Sequence, residues 1–195
     1  MLRCLLFLCF LITLILLIFS LTKDYYNSPK NVSNFKGLCL FDIDGTLTTG
    51  HDNSKSIDIC LKNGYAVGIS TAGAMYTPEN LLSFPWMPHN LYYFMKKYNW
   101  VTFNNVARSI YAGKYKSQKD YSHLGHKQWG VLKGISLRES AKELLITPGK
   151  SLILFDNDPG FLEGLRVFSN TLGVCSGHPC SNFVLNPTLV ESNLR

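Results

Sequence analysis

The chain has 195 residues with 16% charged and 13% aromatic side chains, which excludes an intrinsically disordered protein and leaves room for one domain with a full core. The net charge is +6 and is concentrated between Met95 and Lys133. There eight Lys or Arg (Lys96, Lys97, Arg108, Lys114, Lys116, Lys119, Lys127 and Lys133) face a single acid, Asp120. Such a stretch is either a solubilising face or a surface that attracts an anionic substrate or a phosphate-bearing polymer.

In chain order, Cys4–Leu21 comes first: eighteen residues without a charge. At ~1.5 Å per residue a helix of that length reaches about 27 Å, enough to cross the hydrocarbon core of a bilayer. We expect residues 1–22 to be an N-terminal hydrophobic helix, either a single-pass membrane anchor or a signal segment, the anchor being preferred because Phe-Ser-Leu-Thr is a poor cleavage site. The protein is then membrane-anchored or secreted. Arg3 on one side and Lys23, Lys30 and Lys36 on the other lean weakly towards a cytoplasmic domain. Asn31-Val32-Ser33 is a glycosylation sequon, and Cys175 with Cys180 could close a short disulfide in an oxidising compartment, so the side of the membrane stays open. Residues 23–36 are polar and read as a tether.

Residues 37–195 alternate short apolar runs with mixed segments, the pattern of a parallel sheet flanked by helices. Strands are predicted at Leu38–Ile43, Tyr65–Ser70, Trp100–Phe103, Ser151–Phe155 and Thr171–Cys175. Helices are predicted at Lys55–Asn63, Pro88–Tyr98, Ser136–Leu145 and Gly160–Phe168. The first, second and fourth strands are nearly continuous apolar runs, as expected where helices cover both faces. Cys39 falls inside the first and is expected to be a packed thiol. His123 and His126 are three apart, but no Cys or acid cluster accompanies them as a zinc site would require.

Chemistry is concentrated at two strand ends. In Phe41-Asp42-Ile43-Asp44-Gly45-Thr46-Leu47-Thr48 two acids spaced by one residue close an apolar run, and Gly45 permits a sharp turn. Carboxylates held so close call for a cation or a proton-transfer task. In Ser151-Leu152-Ile153-Leu154-Phe155-Asp156-Asn157-Asp158 a second apolar run ends in acids. The second strand ends in Ser70-Thr71, and Lys133 lies 23 residues before Asp156.

This ordered set resembles the haloacid dehalogenase superfamily, whose first motif is an apolar strand followed by Asp-x-Asp-x-Thr or Val. The resemblance implies a Rossmann-like three-layer α/β sandwich and a magnesium-dependent phosphohydrolase that cleaves a phosphomonoester through an aspartyl-phosphate. By the same resemblance Asp42 is the nucleophile, Asp44 the general acid and base, and Thr71 or its close alternative Ser70 holds the phosphoryl oxygen. Lys133, with Lys127 as runner-up, neutralises the phosphoryl group, and Asp42, Asp44 and Asp156 surround Mg2+. Whether Asn157 or Asp158 supports the metal, or Asp158 only caps the next helix, is left open.

In that superfamily insertions after the first or second motif form caps, so the spacings here, 27 residues from Asp44 to Thr71 and 62 from Thr71 to Lys133, imply by the same resemblance a minimal cap or none. Lysines interleaved with aromatics in that interval suit a core with a basic rim, a membrane-facing surface or, ranked below these, nucleic acid. The expected partners are thus a phosphorylated substrate of unknown identity and, through the N-terminal segment, a membrane; the oligomeric state is not legible. The rival functions are a phosphotransferase, a phosphatase directed at protein or nucleic acid, and a non-catalytic binding module on the same fold.

Overall fold

The computed structural model describes residues 34–48, 53–73, 75–100, 102–106 and 124–176. The proposed anchor, most of the tether, His123 and Cys180 lie outside them. Among the described residues no helix is long and apolar enough to cross a membrane.

Five strands form one parallel sheet: β1 (Gly37–Phe41), β2 (Tyr65–Thr71), β3 (Phe103–Asn105), β4 (Ser151–Asp156) and β5 (Thr171–Cys175), in the order β3-β2-β1-β4-β5. The described helices are α1 (Ser54–Lys62), α2 (His89–Lys97), α3 (His126–Glu143) and α4 (Pro159–Gly164). The chain is therefore α/β with a Rossmann-like, all-parallel sheet.

Alternation along the strands builds two cores. Cys39, Phe41, Val67, Ile69, Ile153 and Phe155 face one side and pack with Ile57 and Cys60 of α1 and Leu91 and Met95 of α2. Leu38, Leu40, Ala66, Leu152 and Leu154 face the other and pack under Leu137 and Ala141 of α3 and Leu144 just past its end. Each fully buried Leu or Phe contributes roughly 1.5–3 kcal/mol, so both faces of β1, β2 and β4 must be apolar, as their sequences are. Phe41 and Phe155 stack at 4.3 Å across the β1–β4 seam. Cys39 is a free buried thiol, and burial raises its pKa, helped by Cys60. Cys175 is disulfide-bonded.

Three boundaries depart from the sequence expectation. Helix α3 begins at His126, ten residues before the predicted start, so Lys133 lies in mid-helix rather than opening it. Gly130 hid this part of the helix. A Cβ there would meet the Phe161 carbonyl at 2.0 Å, and one on Gly164 would meet the Lys127 carbonyl at 2.2 Å. The glycines are what let α3 and α4 touch. Strand β3 is Phe103–Asn105 rather than Trp100–Phe103, because Asn99 and Trp100 have positive φ and Trp100 N–H closes onto the Met95 carbonyl at 2.7 Å. Helix α4 stops at Gly164, where a tighter turn at Leu165–Val167 takes over.

Candidate functional site

In an open sheet of this strand order the chain leaves β1 in both directions, and the crevice at the carboxyl ends of β1 and β4 is where such folds bind ligands. Phe41 is level with Ile69 of β2 and Phe155 of β4. One residue further, Asp42, Ser70 and Asp156 stand in one row, which Asn104 extends on β3. Asp42 and Asp156 continue the faces of Leu40 and Leu154, towards α3. From α3, Lys133 donates through Nζ to Asp42 Oδ1 and to Asp156 Oδ2, each at 2.6 Å. The two carboxylates are thus no more than twice that distance apart at their nearest oxygens. All three groups are buried, and the ammonium also lies 4.6 Å from the centre of the Phe161 ring.

Burial pushes Asp42 up to about 7; Lys133 opposes this, while Asp156 and Asp44 add to it. Lys133 loses to burial but gains more from Asp42 and Asp156, so its pKa rises and it stays charged. The sign of the pH effect on stability follows. The folded protein holds the Asp42 proton up to about 7, whereas the unfolded chain releases it near 3.8, so stability falls as pH rises through that window. The metal-free protein should unfold at a lower temperature at about pH 8 than at about pH 5, and Asp42→Asn should flatten that slope. Thermal unfolding in EDTA measures both; a flat profile over this range would mean that Lys133 keeps Asp42 ionised throughout.

The turn after β1 explains its own sequence. Asp44 (φ −71°, ψ 119°) and Gly45 (φ 77°, ψ −9°) are the central pair of a type II turn, which needs glycine at its second position. A Cβ on Gly45 would also strike Asn157 Nδ2 at 2.1 Å. Thr48 Oγ1 accepts from Gly45 N–H at 3.1 Å, and Thr46 Oγ1 donates to the Ser176 carbonyl at 3.3 Å. Asn53 ties the turn to the end of β5, donating to the Thr46 carbonyl at 3.0 Å and accepting from Ser176 Oγ at 2.8 Å.

Asp44 itself is exposed at the mouth. Its Oδ1 accepts from the Tyr76 hydroxyl at 2.5 Å. Burial raises the Tyr76 pKa, and Asp44 raises it further, so the phenol stays protonated and donates.

The remaining candidates separate clearly. Thr71 Oγ1 accepts from Gly73 N–H at 3.0 Å, closing the turn after β2. Ser70 Oγ, on the α3 face with Asp42, is buried without a hydrogen-bond partner, as is Ser136 Oγ on α3. Lys127 is on the surface, 3.7 Å from Glu163. Asp158 caps α4, accepting from Gly160 N–H at 2.8 Å and Phe161 N–H at 3.2 Å, and its other oxygen pairs with His126 Nδ1. Its own N–H fixes Asp156 Oδ1 at 2.9 Å. Asn157 packs over Gly45 and accepts from Thr46 Oγ1 at 3.5 Å. Sequence reasoning missed Tyr76, Asn53 and Ser176, and weighed His126 only as a zinc ligand, not as the partner of Asp158; of the three missed, only Tyr76, five residues past a strand end, offered any signal.

For a divalent cation the donor chemistry is apt. Asp42 and Asp156 are hard oxygen donors, and with Lys133 they form a buried group of net negative charge when both are ionised. Magnesium takes one or two carboxylates and completes its shell with water and phosphate. Among the described residues no three His, Cys, Asp or Glu side chains gather into a fuller cage, since Asp44 is turned to Tyr76. Compared with protein-family models, curated proteins and solved structures, the chain matches none.

Proposed function

We propose that the chain is a magnesium-dependent phosphohydrolase that cleaves phosphomonoesters through a covalent phosphoenzyme on Asp42. The observation that carries this reading is the pair of buried carboxylates, Asp42 and Asp156, at the switch point of the sheet, joined by one buried lysine. The resemblance of the Phe41–Thr48 segment to the haloacid dehalogenase superfamily assigns the roles.

An Asp42 oxygen attacks phosphorus as the ester P–O bond breaks, and Asp44 gives its proton to the departing oxygen. Asp44 then takes a proton from the water that hydrolyses the aspartyl-phosphate, one group serving as acid and then base. Lys133 balances the charge of the incoming phosphoryl group. The unpartnered Ser70 hydroxyl, level with Asp42, would donate to a phosphoryl oxygen; Thr71 shapes the turn beside it. Asp42 and Asp156 would hold magnesium, which when bound supplies neutralisation of the phosphoryl oxygens. The short reach from Asp44 to Thr71 fits a site with little cap.

Phosphate release from p-nitrophenyl phosphate tests the reading. Release should require Mg2+, stop on addition of EDTA and return with excess Mg2+. Release that persists undiminished in EDTA, or none from any monoester, would sink it.

A further inference from the structure

The geometry points to Tyr76 as the positioning residue for Asp44, fixing which oxygen of that carboxylate meets the leaving group. This rests on the hydrolase reading above. An exposed aspartate on a tight turn has several rotamers open to it, whereas proton transfer demands placement to within about 0.5 Å. Asp44 gains that placement from outside its own turn. Tyr76 is 6% exposed, and its hydroxyl donates to Asp44 Oδ1 at 2.5 Å. Its ring is held edge-on by Phe84 and Trp86, with centroids 5.7 and 6.2 Å away.

The loop that carries the tyrosine is itself anchored. Asn105, the last residue of β3, donates through Nδ2 to the Tyr76 carbonyl at 3.0 Å and to the Gly73 carbonyl at 2.7 Å. A Cβ on Gly73 would lie 2.9 Å from the Tyr76 ring and 3.3 Å from Asp44 Oδ2. Tyr76 and Gly73 therefore flank the exposed Asp44 carboxylate: Oδ1 belongs to the phenol, and Oδ2, beside a residue without a side chain, is left for the substrate. As the ester bond breaks, the proton on Oδ2 passes to the leaving oxygen, which keeps the bonding electrons. The Tyr76 hydrogen bond then steadies the carboxylate that remains.

A leaving-group comparison tests this, because only a substrate that needs a proton should notice the loss. For Tyr76→Phe, kcat/KM towards an alkyl phosphate should fall about tenfold or more, a part of the ~100-fold or greater effect of general acid catalysis. With 2,4-dinitrophenyl phosphate, whose leaving group departs unprotonated, the change should stay within about twofold. Asn105→Ala, which frees the loop and keeps the phenol, should show the same selectivity and carries the test if Tyr76→Phe folds poorly. Equal losses on both substrates would overturn the positioning role and leave the hydrolase reading standing. A wild-type protein inactive on both would overturn the two together.

Discussion

Asp42→Asn should abolish phosphate release and leave the fold intact. The amide has the shape of the carboxylate but no nucleophilic oxygen, and removal of a covalent nucleophile costs on the order of a thousandfold or more in kcat. The fold is spared because ionised Asp42 is already disfavoured. Burial raises its pKa to about 7, and Asp156 and Asp44 raise it too, so at neutral pH a neutral side chain sacrifices little. The asparagine carbonyl can still accept from Lys133, and Asp156 alone then balances the ammonium at 2.6 Å. Turnover measured beside thermal unfolding separates the two effects. Undiminished turnover in a folded Asp42→Asn protein would remove Asp42 from the chemistry.

What was legible in the sequence follows from where the information is local. Strands β1, β2 and β4 are covered on both faces, so their apolar runs are unbroken and their ends stand out; the acids at two of those ends were found for that reason. Lys133 was identified through resemblance but misplaced, as the start of a helix. Gly130 and Gly134 weaken helix propensity, and they are present because α4 and the turn after it press against them, a fact that no local pattern records. β3 was displaced for a related reason. Asn104 and Asn105 look like loop residues, yet Asn104 donates to Ser140 Oγ at 3.2 Å on α3 and Asn105 holds the loop of Tyr76. Tyr76 and Asp44 are 32 residues apart, and Ser176 and Asn53 are 123 apart. Such pairings exist only once the sheet has brought the strand ends together. Asp158 caps α4 for a local reason: Asp-Pro-Gly is a helix start, and its carboxylate accepts from the N–H groups of the first turn.

Lys133→Met should produce the largest loss of stability of any single change in the site. Methionine keeps most of the apolar stem beneath Phe161 but removes the one cation that Asp42 and Asp156 share. Breaking a buried ion group by deleting one partner costs about 3–5 kcal/mol, because the charges left behind keep their desolvation penalty without its compensation. In a domain of this size that is a fall in Tm on the order of ten degrees. The loss should be steepest at neutral pH and shrink on acidification, since protonation removes the orphaned charge. The Asp42→Asn/Lys133→Met double variant should recover part of the stability, as only Asp156 then remains unpaired; the two changes touch one network and will not add. Activity should vanish in both variants. If Lys133→Met melted no earlier than the wild type at neutral pH, the two carboxylates would have to be neutral or otherwise compensated. The lysine at the centre of the site would then be structurally idle.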